Sequence, residues 1–582
     1  MSEQRASEST GVETRQRPGD RELSAVCWIV GASLLSFLVL THAGVVASFA
    51  LGLPVSALVA PVSLLLAVLA GDWLARRDGL AGRPRLLSAL AATAVMVASA
   101  LLAAVFFDLS WDGQWSHQTA VYKMAEGWNP VRDPMHSFIG HLEPFVRHYA
   151  KGPWYTALAV YQTTGDIEAA KLAPWLGAVA LLLCVFAAGL DLGLGRRWAF
   201  LIAAAASLNP VIVCELATYQ VDGLLVGYLL CFVVAFLRFS RRPGLTVAWV
   251  GTASVLLCVN TKFTGLVYLG FFAAAAFVYL AARQRRLLLR YAAWLAVSVV
   301  VATVGLGFNP YVTNTVHRGH PFYPLVGSER FPSMADQGQD PIEQYETPHN
   351  MMGRNRLVRH AYALFGRPGA QPFYPGENAQ LMWPFAVRLQ DFAIFYFLDV
   401  RIGGFGPLFS GLFLLSLLPL AAALLRPQAP RLLLLLGAGT IVASLLVSVH
   451  TWWPRYGPQL WWLPILGILA GLGWAPGHPL RWMARIVTAL LLVNALLISF
   501  VHLRWELFTT RALEAQLAEL RDGGPLEVDF QYFFEPDSRR LRQAGIDFVA
   551  TDRLSCADPI EIISVPAGYP MPLRACKLPP SS

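Results

Sequence analysis

Apolar residues in this chain come in long unbroken runs, unlike the alternation of strands or the one-sided stripes of surface helices. A bilayer core needs about 20 apolar residues per helical crossing. On that measure the pattern predicts thirteen helices, near 24–50, 52–71, 86–106, 172–190, 198–213, 223–237, 245–260, 264–282, 291–307, 404–425, 432–449, 457–474 and 486–503. The polar connections between them are of two kinds, and the kinds alternate. One kind is short and rich in arginine: Arg15, Arg17 and Arg21 before the first run, then Arg76, Arg77, Arg83 and Arg85, Arg196 and Arg197, and Arg238, Arg241 and Arg242. Arg283, Arg285, Arg286 and Arg290 continue the series, followed by Arg426 and Arg431, and Arg481 and Arg485. Cationic loops stay in the cytoplasm, so the alternation predicts a cytoplasmic N-terminus and an outer C-terminus.

The opposite face receives the longer material: loops 107–171 and 308–403, connections 209–222, 260–263 and 450–456, and the tail 504–582. Loops of such length usually carry function. Stretches 116–127 and 154–161 in the first loop read as amphipathic helices lying on the membrane surface. The tail reads as a small α/β unit, with a helix over 511–521 and strands over 526–530 and 547–550. The expected organisation is a cytoplasmic segment 1–22, two additional helices in 23–85, a transmembrane core 86–503 and a periplasmic domain 504–582. The fold class is an all-α polytopic membrane protein.

Composition agrees. The 582 residues are 55% hydrophobic and only 14% charged, with mean hydropathy +0.49, where soluble proteins carry about 25% charge. That excludes a soluble enzyme, a disordered chain and a nucleic-acid binder. The net charge of +8 is then a topology signal. Met1 to Arg21 is polar and runs into an apolar stretch too long for a signal-peptide core, so no cleavable leader is expected. Of seven cysteines, five lie in or beside apolar runs. Cys556 and Cys576 stand apart in the tail and are expected to pair if it faces an oxidising compartment. No predicted crossing carries Asp, Glu, Lys or Arg in its interior, which argues against an ion-coupled carrier.

Candidate chemistry gathers at the outer face. Asp108 and Asp112 stand four apart where the third run ends, with Gly113 and His117 close behind. Paired carboxylates in an aromatic, partly buried setting can accept a proton from a substrate hydroxyl; a helix cap at the membrane interface is the plainer reading. Connection 209–222 adds Glu215 and Asp222, which read equally as a hydrated loop residue and an N-cap. Lys262 and Arg455 interrupt an otherwise cation-poor face, which suggests an anion such as a lipid phosphate; snorkelling to headgroups explains them too. His117, His136, His141, His148 and Glu143 share a loop without metal-site spacing. P-loop, HExxH and GxSxG motifs are absent.

In this arrangement the chain resembles the GT-C superfamily of polytopic glycosyltransferases, which includes protein O-mannosyltransferases and the lipid A aminoarabinose transferase. Asp108 to Pro130, ending Gly127-Trp128-Asn129-Pro130, resembles the acidic first outer loop of bacterial members. His317-Arg318-Gly319-His320-Pro321-Phe322-Tyr323-Pro324, after Phe308-Asn309-Pro310-Tyr311, resembles the stretch that opens their large outer loop, with His320 in place of the usual Asn. Arg455-Tyr456 before Pro458 resembles the Arg-Tyr near a late span. The resemblance covers roughly residues 86–503 and lacks the adjacent Asp-Glu pair of some members. With the first two runs set aside, the order of loops is that of the class A fold.

The resemblance implies transfer of a sugar from a polyprenyl-phosphate donor to an acceptor hydroxyl, usually with inversion, at the periplasmic face of a bacterial inner membrane. The acceptor is a glycan, a lipid or a protein. It implies Asp112 or Asp108 as base, with Asp222 orienting or substituting. Lys262 and Arg455 would face the donor phosphate, and Glu215, His117, His320, Tyr323 and Tyr456 would bind substrate. A divalent metal fits this chemistry without being required, and no other cofactor is implied. Two other functions share the layout: a polymerase or ligase of lipid-linked glycans, whose diphosphate leaving group needs more cations, and a non-enzymatic flippase or scaffold.

Overall fold

The structure is a computed structural model and describes residues 17–137, 143–338, 342–369, 378–397, 399–448, 450–474, 477–565 and 572–578. It is mainly helical, with one small sheet in the tail. Among the described residues, eight helices are long and apolar enough to cross a membrane: Pro18–Leu51, Val59–Arg77, Gly82–Ala104, Ile167–Asp191, Asp222–Phe239, Phe263–Arg283, Arg285–Leu306 and His478–Arg521. Large apolar side chains cover their outer surfaces, among them Leu69, Leu90, Leu101, Val300 and Phe500. On helices of this length such a coat suits the hydrocarbon of a bilayer. The protein is therefore membrane-embedded.

A helix lies in each of the thirteen predicted intervals, but five are short. Leu245–Thr261, Phe409–Leu424, Arg431–Leu445 and Pro458–Gly473 are apolar and have fewer than 18 residues; Arg196–Ser207 has 12. At 1.5 Å per residue such helices fall short of a hydrocarbon core of about 30 Å. The cause is local. Asn209 and Pro210 close the Arg196–Ser207 helix and start the short Pro210–Cys214 helix, capped by the Asn209 side chain on the Val211 amide at 3.1 Å. Lys262, with extended backbone (φ −159°, ψ 149°), separates Leu245–Thr261 from Phe263–Arg283.

The first helix sits inside the core, packed on Ala173–Asp191, Val59–Arg77, Gly82–Ala104 and Leu245–Thr261. Val59–Arg77 and Gly82–Ala104 lie outside it and are mostly exposed. Asn129 Nδ2 reaches the Phe49 carbonyl at 2.9 Å and joins the first outer loop to the end of that first helix.

The two stretches expected on the membrane surface are instead buried. Stretch 116–127 forms the π-helical turn Gly113–Gln118 and the helix Thr119–Ala125, in which Ala120, Val121, Tyr122 and Met124 are buried. Stretch 154–161 lies in the Gly152–Thr164 helix, where Trp154 to Val160 are all buried. It packs on Pro18–Leu51, Val59–Arg77 and Thr119–Ala125, so protein covers its apolar side chains.

The predicted 486–503 and 511–521 helices are one helix, Gly477–Arg521, leading straight into the tail. The tail sheet contains β1 (Leu526–Asp529), β2 (Phe548–Ala550), β3 (Ile560–Ile562) and β4 (Leu573–Lys577) in the order β2-β1-β4-β3. β1 and β2 are parallel, joined through the Phe534–Gln543 helix, and β4 is antiparallel to β1 and β3. Cys556 and Cys576 form a disulfide, with 5.9 Å between their Cα atoms.

Candidate active site

Four of the short helices end or begin close to one polar cluster at the loop side. Lys262 follows Leu245–Thr261, Asp399 lies ahead of Phe409–Leu424, and Arg455 lies between Arg431–Leu445 and Pro458–Gly473. Asp222 opens the Asp222–Phe239 helix. These groups meet in one ion-paired cluster.

Arg455 is the hub, with only 9% of its side chain exposed. Its Nε donates to Asp222 Oδ2 at 2.9 Å, Nη1 to Asp399 Oδ2 at 3.0 Å and Nη2 to Asp112 Oδ2 at 2.6 Å. Lys262 Nζ donates to the other Asp222 oxygen at 2.7 Å and lies 4.7 Å from the centre of the Tyr456 ring. Trp453 Nε1 donates to Asp399 Oδ1 at 2.6 Å, and the Arg455 guanidinium lies 5.1 Å from the Trp453 ring. Three carboxylates and two cations leave one negative charge in excess. A buried charge is tolerated only when paired, so these groups hold one another.

The carboxylates are not equivalent. Asp222 is 2% exposed, Asp399 14% and Asp112 35%. Burial pushes the Asp112 carboxyl up, but the Arg455 guanidinium more than offsets this and holds it below its ordinary range. Burial carries Asp399 up to about 6, against the pull of Arg455, with the Asp112 charge adding to the rise. Glu215 is raised well above the usual carboxylate range by burial and by Asp222. Its Oε2 accepts the Gly223 amide at 2.6 Å, and Glu215, Gln220, Asp399 and Arg455 line one small cavity.

His117 borders the cluster. Burial, in the field of Arg455 and Lys262, pushes its imidazole down to about 4, against the pull of Asp112. Trp154 Nε1 donates to Nδ1 at 2.6 Å. Nδ1 is therefore the acceptor, and the neutral ring carries its hydrogen on Nε2.

The structure thus brings together Asp112, Asp222, Lys262, Arg455 and Tyr456, with His117 and Glu215 at the edge. It gives Asp108, His320 and Tyr323 other surroundings. Asp108 is fully buried, with Oδ1 accepting from the Ser110 amide (2.8 Å) and hydroxyl (2.6 Å), and Oδ2 from the Tyr219 amide (2.8 Å). It ties the first outer loop to connection 209–222, and burial raises its carboxyl to about 6. His320 Nδ1 accepts the Phe322 amide at 3.2 Å, and the Tyr323 ring lies edge-on to His148 at 4.8 Å and under Arg318 at 5.4 Å.

Asp399 and Trp453 are site residues that the sequence reading passed over. An acidic residue next to Arg401-Ile402-Gly403-Gly404, just ahead of an apolar run, was the available signal for Asp399. The histidines of the first loop do not converge: His117 is bound to Trp154, His136 to Asp133 and His148 to Asn314, while His141 and the Glu143 side chain lie outside the described parts. Among the described residues, no group of three or more His, Cys, Asp and Glu is arranged to hold a metal ion.

Fold and site together define a mainly helical, membrane-embedded protein with a buried arginine–carboxylate cluster at one end of its helices. Compared with family models and with curated proteins, the chain matches none.

Proposed function

We propose that this protein is a glycosyltransferase of the GT-C type that moves a sugar from a polyprenyl phosphate to an acceptor hydroxyl. The observation that carries the reading is Asp112: an ionised carboxylate, 35% exposed, fixed by a buried arginine that two further carboxylates anchor. Asp112 accepts the proton of the acceptor hydroxyl as its oxygen bonds to the anomeric carbon. The bond from that carbon to the phosphate oxygen breaks, and the electron pair leaves with the phosphate. The backside geometry inverts the anomeric centre. Lys262 and the remaining N–H groups of Arg455 offset charge growing on the phosphate. Arg455 makes Asp112 a weak base, so proton transfer is late and orientation supplies much of the rate. The His117 Nε2–H is a neutral donor for a substrate oxygen.

The chain would lie in a bacterial inner membrane, its N-terminus cytoplasmic and the cluster and tail periplasmic. The arginine alternation supports this orientation, and so does the Cys556–Cys576 bond, which belongs on an oxidising side. The cation supply favours a monophosphate donor over the diphosphate of a polymerase or ligase, because both cations are already shared with carboxylates.

The test is mass profiling of surface glycans from a deletion strain rescued with wild type or Asp112→Asn at matched membrane expression. Loss of one defined sugar, restored by wild type and not by Asp112→Asn, is expected. Full rescue by Asp112→Asn would reject the transferase and leave a flippase or scaffold.

A further inference from the structure

The reaction above gives residues 504–582 no part, yet the tail is fastened to the turn that carries Asp112. Leu109 is buried in the tail's own core with Leu513, Leu517, Leu526 and Leu541. The Trp111 ring meets Phe533 edge-on at 4.9 Å. Gln114 Nε2 donates to the Ser564 carbonyl at 2.6 Å, and its Oε1 faces both Nη atoms of Arg540 at 3.3 Å. Arg540 is 8% exposed and is held in turn by Asp537 at 2.9 Å. At the rim, Lys123 pairs with Glu535 and Arg539 with Glu126.

These contacts fall on both sides of Asp112 and leave Asp112 itself to Arg455. Gly113–Gln118 is π-helical, a loosened ladder often found at functional sites. A side chain that must meet its target within about 0.5 Å needs support from outside such a turn. A buried arginine is costly unless its donors are paired, and those of Arg540 go to Gln114 and Asp537.

We infer that the C-terminal domain is a clamp that sets the position of Asp112, with Arg540 as its positioning residue. The effect on catalysis rests on the transferase reading; the clamp itself does not. Hydrogen exchange of the full-length protein in lipid nanodiscs tests it. In Arg540→Gln, amides 109–118 should exchange about tenfold faster while the membrane helices keep their protection. Arg540→Lys should recover part of the loss. Lys123→Glu and Glu535→Lys should each loosen the same segment, and the double variant should restore it. In transfer assays Arg540→Gln should lower kcat about tenfold with the donor KM unchanged. Unchanged protection at 109–118 in every single variant would overturn the clamp, as would protection lost evenly along the chain. If the wild type transfers no sugar, that arm counts against the transferase alone and the exchange arm still decides the clamp.

Discussion

Arg455 carries three carboxylates on one guanidinium, so single substitutions in the cluster should differ in kind. Arg455→Ala takes the cation from buried Asp399 and leaves Asp222 with Lys262, and should cost about 3–5 kcal/mol, read as a large drop in Tm of the detergent-solubilised protein. Asp112→Asn removes the most exposed carboxylate and leaves Arg455 two partners, so its Tm should stay close to wild type while transfer is lost. Equal destabilisation by the two would mean that Asp112 is mainly structural. His148 offers a pH test. It is 2% exposed, its Nδ1 lies 2.8 Å from Asn314 Oδ1, and burial pushes it down to about 3. The unfolded chain takes up this proton at about pH 6.5, and the folded protein does not. Stability is thus lost as pH falls below that value, by about 1.4 kcal/mol per unit. Tm curves of wild type and His148→Gln should run parallel above pH 7 and converge below it; parallel curves down to about pH 5 would contradict the buried neutral ring.

Elements position these residues through tight approaches that tolerate no extra atom. A Cβ at Gly113 would lie 2.1 Å from Asp108 Oδ2 and 2.3 Å from Ser110 Oγ. Gly113→Ala must push apart the Asp108 turn, at a cost of about 1–3 kcal/mol, and should remove transfer although it touches no catalytic atom. A Cβ at Gly265 would meet the Cys258 carbonyl at 2.2 Å, so Gly265→Ala should shift the Lys262 junction between its two helices. Full activity in both variants would show that neither turn sets the site. Stretch 154–161 reads as an amphipathic helix on the membrane surface, but an apolar face can be covered by lipid or by protein, and its residues do not say which. Asp108 and Asp112 looked interchangeable at a spacing of four. Folding separates them, since the tight turn at Ser110 and Gly113 draws Asp108 inward onto the Tyr219 amide and leaves Asp112 facing Arg455.

At the scale of the whole molecule, the disulfide and the orientation are open to direct measurement. Alkylation of the denatured protein should modify five thiols without reductant and all seven after reduction, because Cys27, Cys184, Cys214, Cys231 and Cys258 are free. Seven without reductant would place the tail in a reducing compartment. A C-terminal alkaline phosphatase fusion should be active and a C-terminal GFP dark, and the reverse would invert the arginine reading. The membrane character, the helical intervals, the α/β tail and most of the cluster were legible because each depends on local composition: apolar runs need lipid or protein cover, and lone charges at one face need partners. The sequence also determined where helices break, since Asn209-Pro210 and the Asn260 to Gly265 turn act through their own backbones. Only the tertiary structure decided which charges meet. Asp112, Asp222, Asp399 and Arg455 lie up to 343 positions apart, and such pairing follows from how distant helices and loops pack together. The burial of the first helix, the split between Asp108 and Asp112, and the seat of the tail on the Asp112 turn have the same origin: each is a contact between distant segments, and no local pattern encodes it.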